Sequence, residues 1–85
     1  MKNSGSREGS QALMVEVSAR EIQPRAQTAL AASRISELRD LRVERQDGAL
    51  VICGVVSSFY HKQLAQEIVR AVCRKIELVN SVRVR

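Results

Sequence analysis

Tryptophan is absent from this chain, and Phe59 and Tyr60 are its only aromatic residues. A core built on stacked rings is therefore excluded, and Val, Leu, Ile and Ala must carry the burial. Histidine occurs once, at His61, and cysteine twice, at Cys53 and Cys73, with no CxxC pair. A zinc site takes about four such ligands, so no metal is expected, and the cysteines read as small apolar residues in a reducing compartment. Four glycines and one proline are the only strong breakers, and no glycine-rich loop that could cradle a phosphate is present. No apolar run approaches the roughly 20 residues of a membrane-crossing helix. The longest runs are Ala49–Cys53 and Ala12–Val15. The opening Met1–Ser6 lacks the apolar stretch of a secretory signal, so the chain as given is expected in the cytoplasm, or in the periplasm or envelope if it was cut from a longer precursor. Its 85 residues suffice for one small domain.

What is present is charge of one sign. Lys and Arg number 14 against 9 Asp and Glu, a formal +5. Up to Glu21 the charges cancel, Lys2, Arg7 and Arg20 against Glu8, Glu16 and Glu21, so the whole excess lies in the remainder. A basic domain attracts phosphate, on nucleic acid or on anionic lipid, although a basic surface also serves solubility alone.

Residues 1–11 are rich in Ser, Gly and charge and read as an untethered tail; residues 1–20 as a whole are assigned to a disordered leader and 21–85 to the folded domain. Met14-Val15-Glu16-Val17 alternates briefly, as a strand fragment or an early helical turn would. From Ile22, apolar residues take helical spacing through Ala26, Ala29 and Leu30, with Pro24 suited to a first turn, which predicts a helix over about 22–34. Ile35–Asp40 reads as a connector.

Leu41–Gln46 alternates with period two, Asp47-Gly48 is a preferred type I′ turn, and Ala49–Val56 is rich in β-formers, which together predict a hairpin. A two-residue loop sets the register: Gln46 faces Ala49, Glu44 faces Val51, Val43 faces Ile52, Arg42 faces Cys53 and Leu41 faces Gly54. The core face then holds Leu41, Val43, Leu50, Ile52 and Val56. The opposite face holds Arg42 and Glu44 beside Val51, Cys53 and Val55. Ser57 or Ser58 caps an amphipathic helix of about 16 residues, with His61, Leu64, Ala65, Ile68, Val72 and Ile76 on its core side and Gln63, Glu67, Arg70 and Arg74 outward. Leu78, Val82 and Val84 alternate with polar positions in a last strand. The expected class is α+β, in the order α-β-β-α-β, with two helices packed on one face of a three-stranded sheet.

The stretch Val43–Ser58, with its Asp47-Gly48 turn, Ile52-x-Gly54-x-Val56 and Ser58, resembles the signature of the BON domain, the bacterial osmotic-stress and nodulation module. Lys62, Ala65, Ile68, Val69 and Val72 fall where that family's second helix has basic and small apolar positions, and Val79-Asn80-x-Val82-x-Val84 is similar to its closing strand. The resemblance covers about residues 22–85. Gly48 supplies positive φ to the turn, and Gly54, opposite Leu41, is read as leaving room for a helix to approach the sheet. Two departures stand out. Many members end the second helix with Pro-Gly, where this chain has Val72-Cys73-Arg74-Lys75-Ile76, and the best-known members are exported with tandem copies. The resemblance implies a non-catalytic module that binds phospholipid surfaces or envelope components.

Four functional readings follow. Phe59 and Tyr60 can rest at lipid headgroup level while Lys62, Arg70 and Arg74 meet phosphates, against a bland reading in which the rings only fix how the chain enters the helix. Arg42, Val51, Cys53 and Val55 can form a homo-oligomer or protein interface, as in ring-building domains of secretion systems, against a reading in which charged stems shield three ordinary strand residues. Nucleic-acid binding is disfavoured, because a KH domain's Gly-x-x-Gly loop and the aromatics of an RRM are both missing. Catalysis is disfavoured too: His61 is alone, with no Ser or Cys at a meaningful spacing. No cofactor is expected.

Overall fold

The computed structural model describes residues 18–85. Residues 1–17 of the expected 1–20 leader, with the alternating Met14–Val17, lie outside the described residues.

Helix α1 occupies 18–31. It begins earlier than the spacing suggested: Ser18–Arg20, assigned to the leader, are helical, and Ala19 is fully packed in the core. Pro24 consequently stands within the helix and not in a first turn at Ile22; its ring is exposed. Ala19, Ala26 and Leu30 form the buried stripe, and the small alanines let the helix lie close to the ribbon beneath it. The connector Ile35–Asp40 contains a single helical turn, α2 (Ser36–Arg39), anchored by the fully buried Leu38.

Strands β1 (Arg42–Gln46) and β2 (Ala49–Cys53) form the expected hairpin in the expected register, Gln46 opposite Ala49 through Arg42 opposite Cys53. Asp47 and Gly48 both have positive φ, 50° and 82°, as a type I′ turn demands. All five residues assigned to the core face, Leu41, Val43, Leu50, Ile52 and Val56, are buried. Gly54 then breaks the ribbon at φ 138°, and β3 (Val55–Val56) continues beyond it.

Gly54's role differs from the one read in the sequence. A methyl built there would sit 2.5 Å from Leu41 Cδ2, so the space is taken by the side chain opposite and not by a helix.

Helix α3 (Phe59–Val72) crosses the core and returns the chain to β4 (Leu78–Asn80) and β5 (Arg83–Val84). β4 runs parallel to β2, and β5 parallel to β3. The sheet therefore has the order β1-β2-β4, with the β3–β5 pair prolonging its central and last strands past a shared kink. On the second strand the kink is made by Asn80, whose Oδ1 accepts from Val82 N–H at 3.2 Å while its amide donates to Lys62 C=O at 2.9 Å. Ala65 and Val69 are the buried residues of α3, flanked by partly buried Leu64, Ile68 and Val72. Among the described residues no polar or charged side chain is buried. The fold is a small α+β domain with two helices packed on a mixed three-stranded sheet.

The free side of β1 is closed by α1. Gln27 accepts from Val43 N–H and donates to Leu41 C=O, both at 2.8 Å, and Gln23 one turn earlier donates to Val43 C=O at 2.7 Å. Two glutamines four residues apart thus occupy the peptide groups that another strand would use.

Gly54→Ala is expected to lower stability by about 3 kcal/mol, from positive-φ strain together with overpacking against Leu41. Urea unfolding checks this, and adding Leu41→Ala should relieve the clash but not the backbone strain.

Candidate functional site

At one end of the domain, β3 runs through Ser57 and Ser58 into α3. Ser58 is the N-cap: its hydroxyl accepts from His61 N–H at 3.1 Å. The first turn of α3 contains no acidic residue, yet a carboxylate reaches it from elsewhere. Glu37, on α2, accepts through one oxygen from Ser57 N–H and Ser57 Oγ–H, each at 3.0 Å, and from the His61 ring at Nδ1, at 2.8 Å. Its other oxygen lies 3.6 Å from the Arg85 guanidinium. The His61 hydrogen bond, with help from Ser57, holds the Glu37 carboxyl well below its ordinary range, down to about 2.

This cluster contains Ser, His and Glu, but not in the chain that activates a nucleophile. Ser57 Oγ donates to the carboxylate and not to the imidazole, so the Ser–His hydrogen bond of a nucleophile–base pair is not formed. What the arrangement does is tie α2, the β3–α3 turn and the last residue of the chain to one anion. Sequence reasoning missed Glu37, because nothing local links it to a histidine 24 positions later; the one signal was the missing acid in the first turn of α3.

Beside this cluster stand the aromatics. Phe59 and Tyr60 are 74% and 69% exposed, the most open large apolar side chains among the described residues. The Tyr60 ring stands tilted beside the His61 ring, 5.7 Å between centroids. Lys62 is partly buried one turn along and, with Phe59, Gln66 and Asn80, borders a groove of about 300 Å³ between α3 and β4. The parallel pairing of β5 with β3 brings Arg83 opposite Val55, on the outer sheet face, while Arg85 N–H donates to Val56 C=O and its guanidinium reaches Glu37 in this cluster. Neither arginine stood out in the sequence, since long-range parallel pairing leaves no local signal.

The structure separates the other two lipid-contact candidates from this end. Arg70 does not face the solvent freely: its guanidinium donates to Cys73 C=O at 3.3 Å and Ile76 C=O at 3.1 Å, and so gathers the open carbonyls at the end of α3. Arg74 is exposed but lies beyond the far end of α3. Phe59, Tyr60 and Lys62 therefore form one patch, while Arg70 and Arg74 belong to the other end.

The outer sheet face is also narrower than the sequence suggested. Val51, expected in an exposed apolar row, is only 6% exposed, because on the central strand it lies between Glu44 of β1 and Val79 of β4. Cys53 is partly buried, opposite Arg42, and Val55 is 39% exposed. Val79, not anticipated, is exposed to the same extent. Burial pushes both thiols up: Cys53, where Glu44 adds to the effect, and Cys73, which is fully packed in the core. Neither is in a disulfide. Among the described residues no group of three or more His, Cys, Asp or Glu could hold a metal ion, and no helix is long and apolar enough to cross a membrane.

Because the Glu37 carboxyl titrates lower in the fold than in the unfolded chain, its contribution is complete above the ordinary carboxylate range and fades as pH falls from about 4.5 to about 2. Glu37→Gln should flatten the acid limb of stability in that window, read by thermal unfolding at a series of pH values; an unchanged limb would show that the anchor is not coupled to folding. No family model, curated protein or solved structure matches this chain significantly.

Proposed function

We propose that this chain is a BON-like, non-catalytic binding module that docks on anionic phospholipid surfaces through the end of the domain carrying Phe59 and Tyr60. The observation that carries this reading is the exposure of those two adjacent rings, at 74% and 69%, in a domain whose other apolar side chains are mostly covered. Exposed aromatics on a rigid helix start, with cations close by, suit the boundary between headgroups and acyl chains. Lys62 and Arg85 supply the cations; Arg70, Arg74 and Arg83 are left out of the contact. The resemblance to BON domains in Val43–Ser58 points the same way.

A second reading, assembly through the outer sheet face, is favoured by one observation: Val55 and Val79, 39% exposed each, flank Cys53 on that face. With Val51 covered, Val79→Lys is the variant that probes it, and sedimentation at rising concentration is the measurement.

Vesicles of phosphatidylcholine with and without phosphatidylglycerol separate the two readings. Flotation should occur only with the anionic lipid and weaken at high salt, where charges are screened within a few ångströms. Lys62→Ala should reduce partitioning about fivefold, the worth of one cation near an anionic surface. Phe59→Ala with Tyr60→Ala should abolish it, and Arg74→Ala should leave it nearly unchanged. Equal flotation with neutral vesicles, or loss on Arg74→Ala alone, would count against this surface.

A further inference from the structure

The sheet's two edges are treated differently. The β1 edge is closed by Gln23 and Gln27, as described above. The β4–β5 edge is covered at one point among the described residues, where Asn80 Oδ1 accepts from the outward Val82 N–H. Glu77 C=O accepts from Leu50 N–H, while the N–H groups of Ser81, Arg83 and Arg85 donate to Ile52, Gly54 and Val56. All of these are odd-numbered residues facing β2 and β3. By strand alternation, Leu78, Asn80 and Val84 turn their peptide groups the other way. Among the described residues β4 pairs only with β2 and β5 only with β3, so those peptide groups have no strand beside them.

The surroundings of this edge specify what fits. On the helix side runs the groove of about 300 Å³ lined by Phe59, Lys62, Gln63, Gln66, Glu67 and Asn80. On the outer side, Arg83 and Arg85 project from alternate positions, with Val84 partly buried between them. Arg83 has no ion-pair partner among the described residues, and Arg85 lies 3.6 Å from Glu37. A second copy of the chain, laid antiparallel and centred on Val84, would set Arg83 opposite the other copy's Arg85. An acidic strand meets no such opposition.

We propose that the β4–β5 edge takes up an extended acidic peptide as an added strand, with alternate apolar side chains in the groove beside Phe59 and alternate carboxylates over Arg83 and Arg85. Main-chain hydrogen bonds to Leu78, Asn80 and Val84 provide the pairing, and the arginines provide the selection. This goes beyond the lipid reading and does not depend on it.

The test uses the full chain and a capped peptide, Val-Glu-Val-Glu-Val-Glu, with Val-Lys-Val-Lys-Val-Lys as its charge-reversed control. Amide hydrogen exchange followed by NMR should show the N–H groups of Leu78, Asn80 and Val84 slowed at least about tenfold at saturating acidic peptide, while Val43, already held by Gln27, does not change. Arg83→Glu, an exposed position that leaves the core intact, should weaken the peptide at least about threefold, the scale of an exposed charge pair. The basic control should leave the three amides unprotected. Three results would overturn the proposal: no slowing of those amides, equal protection by both peptides, or protection that appears with protein concentration alone, which would assign the edge to a second copy.

Discussion

Asp47 and Gly48 hold positive φ side by side, and the register of the whole ribbon depends on that pair of angles. Side chains alternate across a strand with a period of two, so a slip of one residue would turn Val43, Leu50 and Ile52 outward together and empty the core from beneath. With the turn in place, Leu41 lands opposite Gly54, the one position whose missing side chain accommodates Leu41 Cδ2. The kink that follows lets β3 pair with β5 and lead directly into α3. Each later contact inherits its geometry from this chain of placements.

Where the hydrophobic pattern stops specifying, single polar side chains complete the job. Arg70 folds back onto the carbonyls that end α3, Asn80 bends the last strand while holding it to the helix, and Glu37 fastens α2 to the turn before α3. Glu37 and Arg70 meet backbone groups left open at or beyond the end of an element, where an unmatched group would otherwise cost most, and Asn80 Oδ1 does the same for Val82 between β4 and β5. With so few aromatics, the domain relies on aliphatic packing for its interior and on these anchors for its angles.

Much of this was legible in the residues. The hairpin register, its core face, the Ser58 cap and the order of elements all follow from short-range rules, because turn chemistry and period-two alternation are local. Local rules fail where partners are distant in sequence. Val51 looked exposed because its cover comes from Val79, and Arg70 looked free because its carbonyl partners lie past the end of its helix. Helix α1 was placed too late, since Pro24 resembled a first-turn residue and the packing of Ala19 could not be seen from spacing. Of the candidate sites, the aromatic pair was visible at once. Arg85 beside it was not, and neither was the anion at Glu37.

The glutamine latch on β1 has a consequence for how far association could go. A sheet with both flanks free can stack onward indefinitely, each newcomer offering a fresh flank to the next, and this is the route to fibres. Here one flank is permanently occupied by the protein's own helix. Lateral growth is therefore one-sided, and any pairing between two such molecules through their free flanks would terminate with the pair.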